Sequence, residues 1–185
     1  MNRQWIRAKL AKYHPENSAE SINLDKLKAL VEQTDRCFDR DLYEPGHITG
    51  SAWIVNRDQS KVLLHHHLKL HKWIQLGGHS DSHPNTMEVA LREAQEESGL
   101  KSITALNENV FDIDVHTFPL TPKNPEHLHF DIRFLFVADE SEPFNPDSHE
   151  SQTLRWIPLA QVKEFNSGES IARLVRKTQK LFPQN

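Results

Sequence analysis

The residues in this sequence best suited to chemistry are Glu93, Glu96 and Glu97, which lie in the run Pro84 to Gly99. At about 100° per residue in a helix, the three fall within about 100° of one another, on one side. Met87, Ala90, Leu91, Ala94 and Ser98 take the adjoining face, an apolar stripe that would fix the helix to a sheet and leave the carboxylates together along its edge. Like charges this close raise one another's pKa values, a cost that a bound divalent cation removes and water only dilutes. Taken alone, the pattern also describes a solvated acidic face, with Glu88 and Arg92 as an i,i+4 pair.

The surroundings favour the cation. A strand-like Trp73 to Leu76 leads into a flexible Gly77-Gly78 turn and a loop, then into the helix, with Asn85 and Glu88 spaced as a capping pair and Gly99 placed to end it. Glycines allow close approach of the backbone, so a carbonyl here can complete a coordination shell. The stretch Gly78 to Leu100 resembles the Nudix box: a glycine, a loop bearing a glutamate, then Arg-Glu-apolar-any-Glu-Glu-any-Gly-apolar, matched by Arg92 through Leu100. Pro84 stands where the box has its loop glutamate, and Asp81 or Glu88 is the expected substitute in assisting Arg92.

The resemblance covers His47 to Val162 and implies an α/β fold, a Nudix-type α/β/α sandwich with a mixed sheet. It implies a hydrolase domain over 46–185 that includes a C-terminal helix, and leaves 1–45 as a helical extension. It further implies that Glu93, Glu96 and Glu97 bind Mg2+ or Mn2+, with Gly77 offering its carbonyl. Arg92 would orient the glutamates, and Glu150, in a late loop, is the candidate for a further base or ligand. The reaction implied is attack of water on phosphorus in a nucleoside diphosphate linked to another group, or in a related small diphosphate. Two other readings stay open: a Nudix-like nucleotide sensor without activity, and an enzyme resembling isopentenyl-diphosphate isomerase. Sensors typically lose box glutamates, which are intact here, and the isomerase pattern has a cysteine where this chain has Gly77.

Twelve histidines are unusual for this length. His79 follows the double glycine and could ligate a cation, bond a phosphate oxygen or brace its loop. His127 and His129, two apart in a strand, face the same way and fit substrate contact or a second metal position; substrate contact is the expectation. Arg133 on that strand, with Lys69 and Lys72, offers charge to phosphate, although surface lysines usually only face solvent. His65, His66 and His67 alternate along a strand and cannot all serve one site; at most His66 or its neighbours reach it. Trp73 is expected in the core.

The elements that must position these groups are legible in the apolar spacing. Trp5, Ile6 and Leu10 suggest one helix, and Ile22, Leu24, Leu27, Leu30 and Val31 a second that fades over Asp39 to Tyr43. From His47 the period changes to strands at His47 to Val55, Lys61 to His66, Val110 to Thr117, His127 to Val137 and Leu154 to Ile157. In the fourth, His127, His129, Asp131 and Arg133 share one face, expected to line a cleft. A closing helix carries Ile171, Leu174, Val175, Thr178 and Leu181.

With 185 residues, 37% hydrophobic and 26% charged, the chain can bury one good core. A net charge of -4 offers no broad basic surface, so nucleic acid is not an expected partner. The lone Cys37 forms no intrachain disulfide, and no apolar run spans a bilayer or resembles a signal peptide, so a cytoplasmic location and no membrane partner are expected. The helical extension suits a lid or a homodimer surface, and a small diphosphate is the expected ligand.

Overall fold

The structure is a computed structural model that describes residues 3–68, 70–146 and 151–183. Its elements are α1 (Gln4–Lys12), α2 (Ser18–Gln33), β1 (His47–Asn56), β2 (Lys61–His67), β3 (Lys72–Ile74), β4 (Leu76–His79) and α3 (Thr86–Ser98). There follow β5 (Thr104–Ala105), β6 (Asp112–Phe118), β7 (His127–Ala138), β8 (Ser151–Pro158), a 3-10 turn (Leu159–Gln161), α4 (Val162–Phe165) and α5 (Glu169–Leu181). The strands form a mixed sheet in the order β3-β2-β1-β7-β5, with β4 against β1, β6 against β7 and β8 against β2, and helices flank it. Among the described residues no helix is long and apolar enough to cross a membrane.

Two compact units emerge. The first comprises Met1–Ser51, Gly77–Ala90 and Glu108–Phe134. In it Ile6 and Leu10 of α1 and Leu24, Leu27, Leu30 and Val31 of α2 are buried, while Ile22 is 55% exposed and lies off the stripe expected for it. Helix α2 begins where the Asn17 side chain accepts the Glu20 N–H at 2.9 Å. It ends earlier than its sequence suggests, because Thr34 is extended and its hydroxyl accepts the Arg36 N–H at 3.1 Å, which turns the chain. Asn85 caps α3 as expected: its side-chain oxygen accepts the Met87 N–H at 3.2 Å and its amide donates to Glu88 at 2.8 Å. The Gly77-Gly78 pair lies within β4 rather than in a free turn. Gly77 adopts φ +151°, and a Cβ there would run into Ser51 Oγ and the Gly50 carbonyl.

Pairing of β6 with β7 sets Asp112 opposite Arg133, Asp114 opposite Asp131 and His116 opposite His129. This face was expected to border a cleft; instead Asp112, His127, His129, Asp131 and Arg133 are all buried. Arg133 makes that possible. It donates from Nε to Asp131 at 2.7 Å, from Nη1 to Asp112 at 3.0 Å and from Nη2 to Asp114 at 3.3 Å. The other Asp131 oxygen accepts from Thr49 and Ser51 at 3.0 and 2.7 Å. Burial pulls the Arg133 pKa down, but Asp131, Asp114 and Asp112 overcome it and raise the value above that of an ordinary arginine.

The second unit comprises Ala52–Leu76, Leu91–Asn107 and Leu135–Asn185. Strand β2 carries Val62, Leu63, Leu64 and His65 into the interior and pairs antiparallel with β8, Leu63 facing Trp156 and His65 facing Leu154. Trp53 is fully buried and donates to Thr178 of α5 at 2.8 Å. Trp73, by contrast, is only half-buried, its ring packed 5.5 Å from that of Phe165 with the Arg155 guanidinium 5.7 Å from its centroid. Leu181 of α5 is exposed, so the apolar stripe of that helix stops at Thr178. Gly99 ends α3 at φ +74°, its N–H bonded to the Gln95 carbonyl at 2.7 Å.

Two stability outcomes follow from these contacts. Arg133→Met leaves the buried Asp112 and Asp131 and the partly buried Asp114 without their cation and should cost about 3–5 kcal/mol in urea unfolding; a loss below about 1 kcal/mol would contradict the network's weight. Gly99→Ala should cost more than the roughly 1–2 kcal/mol of a left-handed backbone alone, because its Cβ would collide with the Asn145 backbone. An unchanged midpoint in that variant would mean the helix end is not held there.

Candidate active site

Helix α3 presents its glutamates with graded burial. Ala90, Ala94 and Glu97 follow one another at i, i+4 and i+7, so Glu97 shares the inward face and is only 5% exposed. Glu93 is half-buried and Glu96 exposed. Sequence spacing placed all three on the helix edge; the observed ridge instead runs from the interior at Glu97 to solvent at Glu96. Arg92 lies across the outer pair, with Nη2 2.8 Å from Glu93 Oε1 and Nη1 3.9 Å from Glu96 Oε1. Its expected helpers are engaged elsewhere: Asp81 pairs with Arg40 at 3.1 Å, and Glu88 takes the Asn85 amide and His83, 3.4 Å away.

His65 of β2 stands beside the inner carboxylate, Nδ1 3.5 Å from Glu97 Oε1. Burial, with the neighbouring His67 and His66, pushes its pKa down to about 3, so at neutral pH the ring brings no positive charge to Glu97. Glu97, Glu93 and Glu96 therefore offer oxygen donors of the kind a hard cation such as Mg2+ or Mn2+ takes, and the one at the interior has a neutral imidazole as neighbour. That donor chemistry fits the implied ion. Sequence reasoning did not single out His65. The signal was the unbroken Val62-Leu63-Leu64 run before it, which marks a strand buried on both faces and so carries its next residue inward.

The remaining candidates are distributed as follows. His79 of β4 accepts from Arg40 Nη2 at Nδ1, 2.9 Å away. Because a guanidinium only donates, that bond takes the single lone pair of a neutral imidazole, and His79 as arranged has none to give a cation. His127 and His129 turn toward each other, Nε2 to Nε2 at 3.1 Å, not toward open solvent. Arg133, expected to contact phosphate, is spent on its three aspartates. Lys72 is exposed at the start of β3, and His66 packs on Trp73 with ring centroids 5.5 Å apart. Lys69 and Glu150 lie outside the described residues. His47, which reasoning from sequence used only to mark a strand start, is fully buried, its ring centroid 4.9 Å from those of both His127 and His129.

The fold has counterparts among known proteins. Among curated proteins no sequence matches significantly. Among solved structures, an Ap4A hydrolase of C. elegans in a binary complex aligns with TM-score 0.59 and 18% identity, over 72% of this chain and 96% of its own. A NUDIX-family hydrolase from Clostridium perfringens aligns with TM-score 0.54 and 29% identity, over 73% and 97%. The NUDIX domain of Shewanella oneidensis NrtR, complexed with ADP ribose, gives 0.51 and 16%, over 72% and 86%. The family model described as NUDIX domain matches residues 47–178, which hold β1 through the buried part of α5 and the whole of α3, and the chain belongs to that family.

Proposed function

We propose that this protein hydrolyses a phosphoanhydride bond, in a nucleoside diphosphate linked to a second group or in a related small diphosphate, with Mg2+ or Mn2+ bound by Glu93, Glu96 and Glu97. The observation that carries the reading is Glu97: a carboxylate 5% exposed, on the same helix as two further glutamates, beside an imidazole that burial keeps neutral. A cation matched to that carboxylate offsets the cost of burying it. Family membership and the matches to Nudix hydrolases support hydrolysis of this bond in general. The C. elegans relative acts on Ap4A and the NrtR domain was crystallised with ADP ribose. Both compounds are nucleotides joined through phosphate to a second group, which is the substrate class proposed.

In this reading each residue has a task. The bound ion supplies charge to the phosphate oxygens and acidifies water. Arg92 orients the Glu93 carboxylate, 2.8 Å away, and lies near that of Glu96. His65 holds Glu97 in place without neutralising it. One glutamate accepts the proton as the water oxygen bonds to phosphorus and the bridging oxygen leaves with the departing phosphate. Lys72 is available to steady the substrate's charge, with Glu150 a further base. Arg133 contributes by holding Asp131, Asp112 and Asp114 in place.

A panel of sugar nucleotides, dinucleotides, damaged nucleotides and non-nucleotide diphosphates, read by phosphate or nucleotide release with Mg2+ or Mn2+, tests the class. Glu97→Gln should lower kcat by about 100-fold or more on whichever compound turns over, in the range of a lost acid–base or metal contact, with an unaltered circular dichroism spectrum. Near-normal turnover in that variant rules out this site.

A further inference from the structure

A second cluster of ligand-type side chains lies apart in sequence from the glutamates. Strands β1 and β7 bring together His47, His127 and His129, which are 0, 5 and 7% exposed. One ring nitrogen from each lies within 4.8 Å of the other two.

The hydrogen bonds around these rings fix where their protons are. His127 Nδ1 is 2.7 Å from the Pro125 carbonyl and His47 Nδ1 is 3.1 Å from that of Leu42. A carbonyl only accepts, so both Nδ1 atoms carry hydrogen and both Nε2 atoms of the neutral rings are bare lone pairs. His47 Nε2 is buried and has no hydrogen-bond partner among the described residues, an arrangement that costs about 1–3 kcal/mol if nothing fills it. His127 Nε2 sits 3.1 Å from His129 Nε2.

A metal ion answers all of these at once. Two nitrogens each about 2.0–2.1 Å from a tetrahedral zinc are separated by about 3.3 Å, close to the spacing of His127 and His129. An imidazole that donates Nδ1–H to a backbone carbonyl and offers Nε2 inward has the orientation typical of a metal ligand. Phe118 stacks on His129 at 4.8 Å and Tyr43 meets His127 edge-on at 5.2 Å, which walls the nitrogens with apolar rings. Neutral imidazoles suit zinc and its first-row neighbours, whereas Mg2+ takes oxygen donors. We propose that His47, His127 and His129 form a three-imidazole site for a divalent transition metal of the zinc class, distinct in residues and in donor chemistry from the glutamate set, with a fourth position left for water or an anionic ligand.

The full-length protein, stripped with a chelator, is titrated with zinc by calorimetry and with cobalt by visible absorption. A single zinc should bind at micromolar concentration or below, cobalt should give the intense absorption of a low-coordinate ion, and Glu97→Gln should bind both as the wild type does. His47→Gln and His129→Gln should lose affinity by more than the roughly 10–100-fold that an outer partner is worth. As a check that survives misfolding of these variants, zinc should shift the wild-type imidazole 15N resonances of His47, His127 and His129. No binding to the wild type, no shift at those nitrogens, retained affinity in folded His129→Gln, or loss of zinc in Glu97→Gln would each overturn the site. None of these results bears on hydrolysis at the glutamates.

Discussion

A carboxylate taken out of water must be met by positive charge or by a full set of donors, and this chain buries carboxylates in both of its compact units. The first unit solves the problem with its own residues. Asp112, Asp114 and Asp131 converge on Arg133, and Thr49 and Ser51 donate to the remaining Asp131 oxygen. Such a cluster is costly to desolvate and fixed once formed, so it specifies the pairing of β6 with β7 more than it adds net stability.

In the second unit Glu97 has a different companion. His65 is close enough to orient it but is held neutral by burial, so it leaves the carboxylate's charge intact. A structural network uses an arginine that remains in place; a site meant to receive a cation must keep its charge available. The same contrast separates the two donor sets of the protein. Glutamate oxygens on α3 suit a hard ion, and the imidazole nitrogens of β1 and β7 suit a borderline one.

Much of this was legible in the residues. The period-two alternation of Phe111 to His116 and of His127 to Phe136 located β6 and β7, and the spacing from Arg92 to Leu100 located the helix, its cap at Asn85 and its stop at Gly99. What spacing could not supply was depth. Both faces of β7 are buried, so the polar row His127, His129, Asp131 and Arg133 reads as solvent-facing until its partners on β1 and β6 are known. His47 was hidden for the same reason, since it owes its setting to a strand distant in sequence. The end of α2 was missed because it depends on one extended residue, Thr34, where the apolar stripe alone gives no stop. Trp73 was assigned to the core by its apolar neighbours, yet the short strand β3 leaves it at a half-covered edge beside Arg155.

The claim at the centre of this account is that Glu97 is buried for the sake of a hard cation. Thermal unfolding at neutral pH, with and without millimolar magnesium, measures it directly, since an ion that binds only the folded state stabilises it by RT ln(1 + [L]/Kd). The account predicts that magnesium raises the Tm of the wild-type protein and has little effect on Glu97→Gln. An unmoved wild-type Tm, or an equal rise in both proteins, would contradict it.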